Sequence, residues 1–143
     1  MAVSATIVKI MARPETLATG VPADPLFCRT TDCATVYFDR RGDETVSTSS
    51  VGVVVFSKAP DNDSSPVCYC FGHSLGQIRE RAGEGRLVSG EIRELVRAGR
   101  CACELRNPKG SCCLGDVMNA ERAVLETARG GCDAEEQTTC CRV

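Results

Sequence analysis

Six of the eleven cysteines in this 143-residue chain fall in three tight groups within one stretch, Cys68 to Cys113. The stretch opens with Val67-Cys68-Tyr69-Cys70-Phe71-Gly72-His73 and closes with Gly99-Arg100-Cys101-Ala102-Cys103 and Ser111-Cys112-Cys113. Two thiolates one residue apart can converge on a single metal atom, and a second group returned by a helical excursion can bind the neighbouring atom of a cluster. Structural zinc sites favour Cys-x2-Cys to Cys-x4-Cys hairpins over Cys-x-Cys. The spacing therefore points to a 2Fe-2S cluster. His73 is the only histidine, and a Rieske-type centre needs two, so ligation by cysteine alone is expected.

The rest of the composition is consistent with a chain stapled by metal. Four phenylalanines, two tyrosines and no tryptophan are too little bulky apolar material for one large core. Met1 to Thr19 carries Lys9, Arg13 and Glu15 among its apolar residues, which makes a poor secretory signal. A cytoplasmic location is expected, where many thiols bind metal rather than cross-link. No run is long and apolar enough for membrane insertion. A formal charge of -2 with interspersed signs offers no basic stripe for nucleic acid. No Ser/His/Asp set, glycine-rich phosphate loop or carboxylate pair stands out, so an electron-transfer or metal-binding protein is expected rather than an enzyme, metal reduction apart.

In chain order, Ala5 to Met11 is rich in β-branched residues and reads as a strand. Pro14, Gly20, Pro22 and Pro25 then mark a loop. Cys28 and Cys33 form a Cys-x4-Cys turn, the spacing of a zinc knuckle, leading into a strand over Ala34 to Phe38. Arg40 to Asp43 is a turn, and Thr45 to Phe56 completes a hairpin. The polar run Lys58 to Pro66 is the boundary between modules. Ser74 with Gln77 has the form of a capping box and predicts a helix to about Ala82. Ser89 predicts the cap of a second helix over Gly90 to Ala98, stopped by Gly99. A third helix is predicted to about Arg129, with Cys112 and Cys113 in its first turn, where backbone N–H groups favour a thiolate-ligated cluster. The expected fold class is α+β: a small β-rich, zinc-knuckle-like module at 1–60, a small helical 2Fe-2S module at 66–130, and a Cys-containing tail at 131–143.

Phe27-Cys28 through Cys33-Ala34-Thr35-Val36-Tyr37-Phe38, Pro66 through Gly72, Ala98 through Glu104, Asn107-Pro108, Gly110 and Cys112-Cys113-Leu114-Gly115-Asp116-Val117 together resemble the N-terminal region of CopZ-type copper chaperones. The resemblance runs collinearly from about residue 26 to residue 118. It implies a zinc-binding module followed by a 2Fe-2S module akin to the bacterioferritin-associated ferredoxin. It implies cluster ligands at Cys68 and Cys70, a third at Cys101 or Cys103 and a fourth at Cys112 or Cys113. Cys103 and Cys113 are favoured, with Cys101 and Cys112 as alternates. The family's zinc site adds a Cys-Pro-x-Cys pair, yet no cysteine precedes Phe27 here, and the family's Met-x-Cys-x-x-Cys copper loop is absent from these residues. A zinc site at Cys28 and Cys33 would need Cys132, Cys140 or Cys141. Those three thiols are otherwise candidates for Cu(I) or Hg(II), since thiolates select soft ions.

The expected function is one-electron transfer coupled to copper or other heavy-metal handling and resistance, in the manner of a metallochaperone. Expected partners are a metal-transporting ATPase or other metal-handling protein and a redox partner. Three alternatives stand beside it: a ferredoxin-like carrier serving a reductase, a soft-metal thiolate chaperone whose cluster is structural, and a zinc-only interaction module.

Overall fold

A computed structural model describes the backbone of residues 1–136 and the side chains of residues 1–129. The chain is α+β, with short antiparallel sheets and several helices. Its buried apolar residues form two clusters, one drawn from residues 7 to 55 and one from residues 67 to 117.

The first cluster is built on a helix where the sequence predicts a strand. Helix α1 covers Ala5–Met11, and the Ser4 hydroxyl accepts a hydrogen bond from the Ile7 N–H at 3.2 Å. Ile7, Val8 and Met11 lie on one face and are buried. An N-cap and an apolar stripe with a core to meet outweigh the strand preference of isoleucine and valine. Helix α2, Pro14–Thr19, replaces the predicted loop, with the proline at a position where its missing N–H costs nothing. The expected β-rich module is therefore two helices on a three-stranded sheet.

That sheet has the order β1 (Leu26–Phe27), β2 (Thr35–Phe38), β3 (Thr45–Ser47), antiparallel throughout. The predicted hairpin is present as β2–β3, turning at Arg40 to Asp43 with Gly42 at φ 79°. The second strand is shorter than expected. A 3-10 turn at Thr48–Ser50 ends it, and Val51 pairs instead with Ala12.

The second cluster forms on a hairpin of β4 (Pro66–Cys68) and β5 (His73–Ser74). Between them Gly72 takes φ 73° and its N–H bonds the Cys68 carbonyl at 2.9 Å, a left-handed turn that suits glycine. Helix α3 is Leu75–Gly83, and Ser74 and Gln77 form the predicted capping box. Helix α4 is Val88–Arg97; its predicted stop is a Schellman motif, with Gly99 N–H on Val96 O and Arg100 N–H on Leu95 O, both 3.0 Å. Ser89 is not its cap. The helix starts one residue earlier, and the Ser89 N–H is satisfied at 2.8 Å by buried Glu121 from the last helix.

A single turn of helix, α5, covers Cys103–Arg106, and α6 covers Leu114–Glu136, packing across α3 and α4. Gly130 and Gly131 do not end α6. Two contacts tie the clusters together. The Tyr37 hydroxyl donates to the Pro108 carbonyl at 2.7 Å in a buried position, and the Tyr69 hydroxyl accepts from the Phe56 N–H and donates to the Val54 carbonyl. Burial and the nearby Tyr69 push the Tyr37 hydroxyl's pKa up, so it remains a donor. Among the described residues no helix is long and apolar enough to cross a membrane.

A candidate metal centre of five thiols

Three chain segments bring sulfur to one place beneath the second cluster. Cys68 ends β4, Cys70 lies in the glycine turn that follows it, Cys103 starts α5, and Cys113 immediately precedes α6. The Cys113 carbonyl accepts the Val117 N–H at 3.0 Å, so Cys113 occupies the cap of α6. Cys68, Cys103 and Cys113 are 0%, 3% and 1% exposed, which makes them part of the hydrophobic core itself.

Cys70, Cys101 and Cys103 converge most closely. Their sulfurs stand 3.5 Å apart for Cys70–Cys103, 3.9 Å for Cys70–Cys101 and 3.2 Å for Cys101–Cys103. Thiolates sharing one tetrahedral metal at about 2.3 Å are themselves about 3.8 Å apart. These three sulfurs are thus spaced to hold a metal ion. Cys113 links the groups, since its thiol interacts with both Cys68 and Cys103. The close contacts largely join different segments, so the two thiols of Cys68-Tyr69-Cys70 do not pair with each other: Cys68 meets Cys113, and Cys70 meets Cys103 and Cys101.

Backbone N–H groups point at these sulfurs. Ala102 N–H donates to Cys70 Sγ at 3.3 Å, those of Phe71 and Cys70 serve Cys68, and that of Cys113 serves Cys103. The Cys113 thiol, helped by the two N–H groups, holds Cys68 at about 6 against the effect of burial. Cys113 is pushed up by the Cys68 thiol and by burial, and Cys103 by burial and by the Cys101 and Cys70 thiols. Burial likewise raises Cys70. Packed thiols resist ionising together, and a bound cation removes that resistance.

The sequence reading named all five residues, favouring Cys103 and Cys113 with Cys101 and Cys112 as alternates. Adjacent residues at a helix start cannot both face one centre, and Cys112 is exposed while Cys113 is buried. Both cysteines precede the helix whose first turn was expected to hold them, since α6 begins at Leu114. Cys101 stands with Cys70 and Cys103, half-buried. Among the described residues His73, on β5, belongs to no group of ligand atoms; burial and nearby Arg81 lower its pKa.

Cys28 and Cys33 lie on one turn, closed by Cys33 N–H on Thr30 O at 3.4 Å. Both are half-buried. Burial opposes ionisation of Cys28, but the Thr30 N–H, the Lys58 ammonium and the Cys33 thiol together lower its pKa. No third histidine, cysteine or carboxylate among the described residues joins them in a group, so the described residues do not complete a tetrahedral zinc site. Cys132, Cys140 and Cys141 lie outside the described side chains. Lys58, which nothing in the sequence marks as a neighbour of Cys28, is a residue the spacing of cysteines could not reveal.

Among solved structures the chain is similar to the N-terminal domain of CopZ from Archaeoglobus fulgidus, with a TM-score of 0.66 and 23% identity over 82% of this chain and 88% of that one. No protein-family model matches the sequence, and no curated protein matches it.

Proposed function

We propose that this chain is a 2Fe-2S protein of metal handling, with Cys68, Cys70, Cys103 and Cys113 as the cluster ligands. The observation that carries the reading is the convergence of thiols from three segments inside a hydrophobic core, with backbone N–H groups on the Cys68, Cys70 and Cys103 sulfurs. A cluster uses thiolates, a dry surround and N–H donors. The four residues fit the group. Three are the buried thiols, and Cys70 touches Cys103 directly. When bound, the cluster would supply one electron at a time, the chemistry needed to take Cu(II) to Cu(I).

The chain's own residues do the remaining work. The N–H groups at Cys70, Phe71, Ala102 and Cys113 stabilise negative charge on sulfur, and Val67, Leu75, Ile78 and Val117 exclude water from the inner side. Cys70 and Cys101, less buried, mark the side from which an electron or an ion reaches the centre. The fold of a CopZ domain supports a partner among metal-transporting ATPases or other metal-handling proteins, with a redox partner besides. Two separate apolar clusters support reading residues 1–60 and 66–130 as two modules.

Purification without oxygen, followed by absorption spectroscopy and iron and sulfide analysis, tests the reading. A brown protein with two irons and two sulfides per chain is expected, kept by Cys101→Ala and Cys112→Ala and lost in Cys103→Ala. A colourless protein with zinc at the same cysteines would sink it.

A further inference from the structure

The two apolar clusters do not close completely on one another. Where they meet lies a cavity of about 280 Å³, walled by Phe27, Arg29 and Val55 on the side of the first cluster and by Tyr69, Pro108 and Lys109 on the side of the second. Ligand pockets occur preferentially at such junctions. We propose that this cavity binds a small organic acid, with its carboxylate on Arg29 and its apolar body against Phe27, Val55, Phe56 and Pro108. The inference goes beyond the metal-handling reading and does not depend on it.

The polar walls decide what the cavity takes, and most of them are already engaged. The Asn107 side chain donates to the Ser111 carbonyl at 2.9 Å and accepts the Lys109 N–H at 3.2 Å. The Tyr69 hydroxyl is held between the Phe56 N–H and the Val54 carbonyl, and Lys109 pairs with Asp116. Two polar walls are left. Arg29 makes no ion pair among the described residues. The buried hydroxyl of Ser57 has no hydrogen-bond partner among them, and rotation about one bond re-aims it.

A guanidinium and a hydroxyl without partners define the polar end of the ligand. The guanidinium fork matches a carboxylate with two parallel N–H bonds, and a carboxylate keeps lone pairs for a hydroxyl donor. One anionic group suits the site, because the Asp116 carboxylate in the same wall repels a second. The remaining walls are apolar: Phe27 and Val55 are core residues, 3% and 4% exposed, and Phe56 and Pro108 stand beside them. An apolar cavity of about 150 Å³ holds benzene. One of about 280 Å³ therefore takes a ring, a short chain and a carboxylate. Tyr69 lies between Cys68 and Cys70, and Ser111, another wall, stands two residues before Cys113. An occupant thus touches two of the segments that carry the thiols.

The test is calorimetric titration of the full chain with hydrocinnamate, with hydrocinnamamide as the neutral counterpart and inorganic phosphate as an anion without a body. Backbone amide NMR locates the site. Saturable binding of the acid is expected, with shifts at Phe27, Arg29, Val55 and Ser57. The neutral amide should bind at least about tenfold more weakly, and phosphate should not displace the acid. Arg29→Met should weaken the acid by about the same factor and leave the neutral amide unchanged. Arg122→Met, at an exposed arginine on α6 outside the cavity, should change neither, and far-UV circular dichroism shows that both variants fold. No saturable binding of the acid, shifts confined to other residues, or full affinity in Arg29→Met would each overturn the proposal. Equal affinity for the neutral amide, or displacement of the acid by phosphate, would overturn the assignment to an organic acid. None of these readouts involves iron, so a chain that holds iron but binds no acid refutes this inference alone, and a chain that binds the acid but never holds iron refutes the cluster alone.

Discussion

The two cysteine groups of this molecule are set in opposite surroundings. Cys68, Cys103 and Cys113 are core residues, packed with Val67, Leu75, Ile78, Ile92 and Val117, whereas Cys28 and Cys33 stand half-buried on a turn at the margin of a sheet. The first group joins three chain segments distant in sequence, and the second spans a single turn. A centre that ties distant segments together contributes to folding, because the unfolded chain has no preformed site. A pair on one turn ties nothing that the sheet does not already hold. The same side chain thus joins distant segments in one place and belongs to a single local turn in the other.

The largest expected effect tests that contrast directly. Removing metal from the five-thiol centre, by chelation or by Cys113→Ser, should lower the thermal midpoint by about 10 °C or more, as loss of several kcal/mol does in a domain of this size. Cys28→Ala/Cys33→Ala should move it by no more than about 3 °C. Calorimetry on both variants decides the matter, and equal shifts would erase the distinction.

The contact between the clusters comes next. Tyr37 is fully buried and its hydroxyl reaches the Pro108 carbonyl, just ahead of Ser111, Cys112 and Cys113. Tyr37→Phe keeps the ring and its edge contact with Phe27 but leaves that carbonyl without its partner. Urea unfolding should show a loss of about 1–3 kcal/mol. An unchanged midpoint would mean that the two clusters are held together by apolar packing alone. Glu121→Ala should cost about 1–2 kcal/mol by leaving the Ser89 N–H unpaired at the start of α4, and Glu121→Gln, which retains an acceptor, should recover part of it. Equal losses in both variants would show that the carboxylate's charge, not its hydrogen bond, does the capping.

These contacts also mark how far the sequence could be read. Local grammar was legible: the Ser74/Gln77 box, the Gly99 stop, the β2–β3 hairpin and the cysteine groups each involve residues a few positions apart. What escaped depends on partners far along the chain. Ala5–Met11 reads as a strand by composition, and only the core formed by Phe27, Val36, Tyr37 and Val46 makes its helical stripe decisive. Glu121 on Ser89, Tyr37 on Pro108 and Lys58 on Cys28 leave no local trace. Cys113 is favoured over Cys112 in the sequence by the resemblance alone; that one is buried and the other exposed depends on the phase of α6.

The smallest effect probes whether the cluster hairpin depends on the helix behind it. Ser74 ends β5 and caps α3: its hydroxyl accepts the Gln77 N–H at 3.3 Å, and the Gln77 side chain accepts the Ser74 N–H at 3.0 Å. Ser74→Ala removes the forward bond and should cost about 1 kcal/mol. Gln77→Ala removes the return bond, to a backbone N–H that water can reach, and should cost less. Neither residue touches sulfur, so under the proposed cluster both variants should hold as much iron as the unmodified chain while unfolding at slightly lower urea. If Ser74→Ala sheds iron instead, the capping box is positioning Cys68 and Cys70 through β5, and the centre is coupled to α3 more tightly than its ligands alone require.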